Sequence, residues 1–497
     1  MDTSGHHCSR LTGERLGTQR SQIARSVAGW RSSRWLRHFS NSRNICRRSR
    51  VESTRPPPLG IAIYDMKNWL KISLLLCTFG FFRELRPSEP YVTEYLSSDY
   101  GNLTIETIYQ DVYPFGTYSV LAQLVIVFLI TDLVRYKPVI VLSALAGITL
   151  FTLLIWTETV RMLQVAQLFF GTFTAAEVAY YTYMYAKVDK EQYQIVTGHT
   201  RAAILSGKFL GGLLAQVLVS TDSMNYRQLH YISLSTQLIS LAVSLFLPGV
   251  PRSLYFYAAA DKNPPAGGEV TTPRFSFSNA CRLLWYHLVS SYSNPVVLQW
   301  SLWWALATCG QIQVISYIQF LWKEVAPDHL SVYNGGVEAT ATLLGAIGAI
   351  LAGMLNSNKR RGSYMLGISL CAAVLGALLI YAAKTQEIWV AYVNYVLFCA
   401  VFFFIITVAG AVVAGNLVED SFGLIFGINT LAGLLLQTIL TVVVVENVGF
   451  GLGPRHQYVV YGSYFLALGG IYLIGSVLAK FICKTRISNE NNGVSLT

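Results

Sequence analysis

Three carboxylates stand in or beside long apolar runs, where a charge is expensive. Glu177 lies in Thr174-Ala175-Ala176-Glu177-Val178-Ala179-Tyr180-Tyr181, far from either end of its run. A charge at the bilayer centre costs at least about 2.5–3.5 kcal/mol on insertion scales, so such a residue lines a cavity or pairs with another charge. On a helix, Tyr180 at i+3 and Tyr181 at i+4 flank the carboxylate. An acid beside aromatic faces suits an organic cation, because the acid supplies the Coulomb attraction and the rings a cation–π attraction. A helix–helix ion pair with Lys208 or Arg201 is the competing use of Glu177, and these two cations are the candidate counter-ions. Glu89, in Arg86-Pro87-Ser88-Glu89-Pro90, follows the first run. The two prolines distort the chain there and can aim the acid inward. Glu338, in Gly335-Gly336-Val337-Glu338-Ala339, comes early in another run, where it is expected to complement a helix N-terminus, with a cavity charge as the second use. Gln437 is an uncharged polar group inside a late run, fit for interhelical hydrogen bonding or for holding a solute.

The sequence shows no Ser/His/Asp arrangement, no phosphate-binding loop and no metal-ligand spacing among its eight cysteines and eight histidines. No enzyme activity, cofactor, metal or nucleic-acid partner is therefore expected, and movement of a solute would run on gradients.

The elements that must position these residues are membrane helices. Of the 497 residues, 53% are hydrophobic and 13% charged, against roughly 25% charged in soluble domains. Apolar runs of about 20 residues, each long enough to cross roughly 30 Å of hydrocarbon, recur from Trp69 onward. They are continuous rather than alternating, which indicates helices and not barrel strands. Twelve spans are predicted at about 67–86, 113–131, 138–156, 163–186, 200–220, 230–248, 296–322, 335–355, 364–383, 388–415, 422–445 and 458–479. The polar stretch 249–295 separates a six-span half (66–248) from a second (296–479), with a tail at 480–497. The expected fold is an all-α membrane protein, a major facilitator-type bundle of twelve transmembrane helices in two six-helix halves.

Charge sets the orientation. Residues 1–65 hold twelve arginines against four acids, a balance of +8 that leaves +3 of the total +11 for the rest. That Arg/Ser-rich segment is read as a disordered extension or a gene-model artefact ahead of Met66. Lys and Arg otherwise concentrate in the loops on the side of the termini, so both termini are expected in the cytoplasm. The loop 87–112 is then external, acidic, and carries the glycosylation acceptor Asn102-Leu103-Thr104. On the inner side, Asp132, Arg135 and Lys137 between spans two and three form a candidate gate, in which the acid pairs with a base and caps a neighbouring helix. The Trp300/Trp303/Trp304 cluster is expected in an interfacial belt.

Gly80-Phe81-Phe82, Arg86-Pro87-Ser88-Glu89-Pro90, Arg135-Tyr136-Lys137-Pro138-Val139, Ala175-Ala176-Glu177-Val178-Ala179-Tyr180-Tyr181, Trp300-Ser301-Leu302-Trp303-Trp304-Ala305, Tyr333-Asn334-Gly335, Phe426-Gly427-Ile428-Asn429-Thr430 and Tyr461-Gly462-Ser463-Tyr464-Phe465 occur in that order. Together they resemble the reduced folate carrier and thiamine transporter family, from about Met66 to about Leu478. The resemblance implies vitamin uptake at the plasma membrane. It implies the thiamine branch, because folate carriers look to place Arg at Glu177 and Lys at Gln437, as a dianion requires. It also implies a ligand pocket at Glu89, Tyr113, Glu177 and Tyr180. Gly116 stands where thiamine transporters look to carry Trp, which is expected to widen that pocket. A folate or organic-anion carrier is the alternative within the family; a non-transporting receptor or scaffold is the alternative of another class.

Overall fold

The computed structural model describes residues 68–98, 103–156, 159–188, 192–250, 277–327, 332–354, 361–417 and 422–494. The extension 1–65 and the acceptor Asn102 lie outside them.

The described chain is helical, and each predicted span falls on a helix. The first set comprises α1 (Asn68–Glu84), the short α2 (Val92–Ser97), α3 (Tyr113–Leu133), α4 (Lys137–Trp156), α5 (Val160–Ala175), α6 (Glu177–Lys187), α7 (Tyr193–Ser220) and α8 (Tyr226–Phe246). Next comes α9 (Phe277–Tyr292), then the second set: α10 (Pro295–Val325), α11 (Asn334–Gly353), α12 (Arg361–Lys384), α13 (Ile388–Ala414), α14 (Phe422–Val444) and α15 (Pro454–Val494). Among the described residues, nine helical stretches are long and apolar enough to cross a membrane. The protein is a multi-pass membrane protein.

Three details differ from the sequence expectation. The stretch 249–295 is not loop throughout, since α9 occupies Phe277–Tyr292 with Trp285 and Tyr286 exposed. The last helix continues past 479 to Val494. The fourth span is not continuous: α5 stops at Ala175 and α6 starts at Glu177. At the break Ala176 N–H donates to both the Thr172 and Thr174 carbonyls, a tightened turn.

Packing is mostly within each set: α1 on α7, α3 on α5, α4 on α8, then α11 on α13, α12 on α15 and α10 on α14. Between the sets, α7 meets α11 and α3 meets α14. One apolar core gathers Leu76, Phe79, Ile140, Ala176 and Tyr183 in the first set. Another gathers Trp303, Phe320, Phe398, Tyr458 and Phe465 in the second and extends to Ile108 and Leu154. Trp300 and Trp303 are buried in it. They are packing residues rather than a belt, because they point inward from α10 into the bundle. Where α7 crosses α11 the backbones touch: a Cβ on Gly212 would lie 2.7 Å from the Gly335 carbonyl oxygen, so a side chain there would force the helices apart.

Candidate functional site

The end of α1 carries a dense charge cluster. Arg83 and Glu84 are adjacent and both buried, with Nη1 2.5 Å from Oε1. Arg86 Nη2 lies 2.9 Å from Glu84 Oε2 and 3.1 Å from Glu89 Oε2. Lys208 Nζ, from α7, is 3.5 Å from Glu84 Oε2. Arg83 Nη1 reaches to 3.9 Å from Glu177 Oε2.

The break in the fourth span helps build this cluster. Arg83 Nη2 donates to the Phe173 carbonyl at 2.8 Å, and Ser143 donates to the same oxygen at 3.3 Å. That carbonyl lies one turn before the break. The Arg83 guanidinium stacks 4.3 Å from the Phe173 ring centroid, with Arg86 at 5.2 Å from the same ring. Glu177 is the first residue of α6, where the positive end of a half-helix favours a negative charge.

The arginines are buried beneath the carboxylates. Arg83 is 3% and Arg86 8% exposed, while the Glu89 and Glu177 side chains are 50% and 37% exposed. The face open to a solute therefore presents the Glu89 and Glu177 carboxylates with two guanidinium groups behind them, alongside the equally open Lys208 ammonium. Sequence reasoning assigns Arg83 and Arg86 no part in the site. Glu84 carried no assigned role, although two adjacent charges inside a predicted span were the available signal.

The structure redistributes several expected roles. Arg83, not Lys208 or Arg201, is the cation nearest Glu177. Arg201 instead lies over the Tyr181 ring at 5.8 Å. Tyr180 is 3% exposed, and its hydroxyl donates to the Leu76 carbonyl at 2.9 Å. It therefore fastens α6 to α1, and the half-buried Tyr181 is the aromatic beside the open carboxylate. Tyr113 packs against Phe320 of the second set at 4.9 Å, with Thr93 at 3.5 Å from its hydroxyl. A side chain at Gly116 would meet Gln167 of α5.

Glu338 lies past the first turn of α11 and accepts a hydrogen bond from Tyr395 at 2.8 Å. It is a charge of the helix interface, not a helix-terminus partner. Gln437 is 1% exposed and its amide donates to Gln313 at 3.0 Å and to Thr117 at 3.3 Å. Both bonds place it in a buried network where α14 meets α10 and α3.

In the candidate gate, Asp132 is described only as backbone in the last turn of α3. Arg135 and Tyr136 take left-handed backbone angles, φ 65° and 64°, an unfavourable choice for residues with a Cβ. Lys137 Nζ donates to the Leu245 carbonyl at 2.9 Å. It caps the C-terminal end of α8, as a cation favours.

At the opposite end of the bundle the two sets are tied together. Lys323 of α10 pairs with Glu94 of α2 at 2.6 Å. Gln319 accepts from Thr93 N–H at 3.2 Å and donates to the Glu89 carbonyl at 3.1 Å. Asn334 donates to the Pro90 carbonyl at 3.2 Å, and the Tyr91 hydroxyl to that of Val332 at 3.3 Å. Gln110 and Asn447 exchange hydrogen bonds, and Tyr118 donates to Glu446. The strap 87–98 that holds Glu89 is thus clamped onto α10 and α11. Asn334, Glu89 and Pro90 fall in quoted sequence motifs, but Gln319, Lys323 and Glu94 were not singled out, since nothing local marks a partner more than 200 positions away.

With this geometry established, similarity to known proteins can be placed on it. The family model described as reduced folate carrier matches residues 67–460. Thiamine transporter 1 of Mus musculus is 36% identical over 450 residues, covering 83% of this chain and 90% of the relative. Thiamine transporter 2 of Homo sapiens is 37% identical over 459 residues, covering 84% and 92%. Folate transporter 1 of Caenorhabditis elegans is 34% identical over 435 residues, covering 86% and 94%. Among solved structures, the POT family transporter PepTSo superposes with a TM-score of 0.59 at 11% identity, covering 83% of this chain and 99% of that one. The fold is that of the major facilitators, and the chain belongs to the reduced folate carrier family.

Proposed function

We propose that this protein takes up thiamine, or a closely related organic cation, across the plasma membrane by alternating access, with both termini in the cytoplasm. The single observation that carries the reading is the layering of charge at the end of α1. Glu89 and Glu177 offer half-exposed carboxylates, and Arg83 and Arg86 lie buried behind them. A fixed cation finds acceptors there, with the Tyr181 ring alongside. Named thiamine and folate transporters match this chain almost equally well; the two half-exposed carboxylates support the cation reading.

Tyr113 supplies a second aromatic wall and Glu338 a carboxylate from the second set. Gln437 holds α14 beside the site. Asp132, Arg135 and Lys137 form the inner gate, and Asn102 the glycosylated position of the outer loop. The clamped strap is the closed outer gate, so this conformation faces the cytoplasm. Opening outward requires Lys323–Glu94 and its neighbours to part while the inner ends close, the rocking of two halves about a central site.

The half-exposed Lys208 and the exposed Arg201 support folate or another organic anion as the second reading. The test is uptake of labelled thiamine and labelled folate in parallel, by cells expressing the protein and its Glu177→Gln variant. Saturable thiamine uptake that weakens in the variant supports the cation site. Folate uptake in place of thiamine uptake refutes it.

A further inference from the structure

The two open carboxylates are connected through a chain of ion pairs centred on the buried Glu84. Glu177 contacts Arg83, Arg83 contacts Glu84, Glu84 contacts Arg86, and Arg86 contacts Glu89. Lys208 closes on Glu84 from α7. Three carboxylates thus share three cations, and Glu84, 4% exposed, is the only member within 4 Å of all three cations. A cationic solute at Glu89 and Glu177 competes with Arg86 and Arg83 for the same oxygens. It succeeds only because another negative charge holds those guanidinium groups. Without that charge, Arg83 and Arg86 would turn to Glu177 and Glu89, and the set would carry a net positive charge.

We infer that Glu84 is a specificity-determining residue: it pairs with Arg83, Arg86 and Lys208, brings the six charges of the cluster to a net of zero together with Glu89 and Glu177, and so sets the sign of the solute charge the site accepts. The inference rests on the cluster being the substrate pocket. It assigns Glu84 a positioning role. Lys208 is the opposing control, since its half-exposed side chain contributes one positive charge to the same balance.

The experiment measures binding of thiamine and of folate to the purified full-length protein by calorimetry. It compares wild type, Glu84→Gln, Lys208→Gln and the double variant, and reads the ratio of the two dissociation constants. A unit charge at roughly 10 Å and an effective dielectric of about 20 changes affinity by about tenfold or slightly more. Glu84→Gln is expected to weaken thiamine by about that factor and to strengthen the dianionic folate by roughly the square of it. Lys208→Gln is expected to move the ratio the other way. The double variant, neutral again, should return to within about threefold of wild type, a residue of roughly 0.7 kcal/mol.

A purely structural role for Glu84 would shift both vitamins together and leave the double variant worse than either single. An unchanged ratio in Lys208→Gln, at a half-exposed position, overturns the inference even if Glu84→Gln does not fold. A wild-type protein that prefers folate refutes the thiamine reading alone, because the opposite shifts still decide the role of Glu84. A wild-type protein that binds neither vitamin overturns both.

Discussion

Removing the Lys323 ammonium should open the clamped end of the transporter. The pair with Glu94 is 2.6 Å long, with side chains 24% and 10% exposed, and it joins α10 to the strap that carries Glu89. In Lys323→Ala the Glu94 carboxylate keeps its place only as an unpaired, nearly buried charge. Breaking a fully buried pair costs about 3–5 kcal/mol, and an exposed one about 0–1 kcal/mol. This pair is intermediate, so roughly 1.5–2.5 kcal/mol of the closed state should be lost. The closed-to-open ratio should then fall by about ten- to fiftyfold, at tenfold per 1.4 kcal/mol. Thr93, within the strap, is fully buried and reports the change. In a Thr93→Cys background, a membrane-impermeant thiol reagent applied from outside should label the cysteine at least about tenfold faster once Lys323 is alanine. The charge-swapped pair Lys323→Glu with Glu94→Lys should slow labelling again. If Lys323→Ala leaves the rate within about twofold of its parent, below roughly 0.4 kcal/mol, the ion pair does not hold this end closed.

Three other substitutions separate the site from its supports. Tyr180→Phe removes the hydrogen bond to the Leu76 carbonyl; it should lower thermal stability by about 1 kcal/mol without changing the KM for uptake, whereas Tyr181→Ala should raise the KM. Gln437→Leu leaves Gln313 and Thr441 short of a buried donor, which should cost about 1–3 kcal/mol of stability in a melting experiment on purified protein. Gly335→Val drives a side chain into the Gly212 carbonyl and Gln216; surface expression should persist while uptake falls, and outer labelling of Thr93→Cys should rise as it does in Lys323→Ala.

Much of the fold was legible because membrane insertion acts on local composition. A run of apolar residues commits to a helix wherever its partners lie, so the expected spans fall on helices, with the fourth divided between α5 and α6. The break at Ala176 was not legible, since neither Pro nor Gly marks it and the turn tightens where Arg83 takes the Phe173 carbonyl. The tryptophans of α10 could not be placed either. A belt and a core demand the same residue type, and only the packing of Trp303 inside the bundle separates them. The clamp residues Gln319 and Lys323 had no local mark at all.

The candidate site divides along the same line. From the chain alone came the existence of Glu89 and Glu177 at costly positions, and the inference that such charges line a cavity or find partners. The tertiary structure chose the partners. It put Arg83 against Glu177 in place of Lys208 and Arg201, turned Tyr180 into a fastening and Tyr181 into a wall, and made Glu84 the centre of a neutral cluster. Insertion energy depends on how many charges a segment carries, which can be counted in the sequence. Coulomb energy depends on distances between side chains from different helices, and those exist only once α1, α6 and α7 have packed.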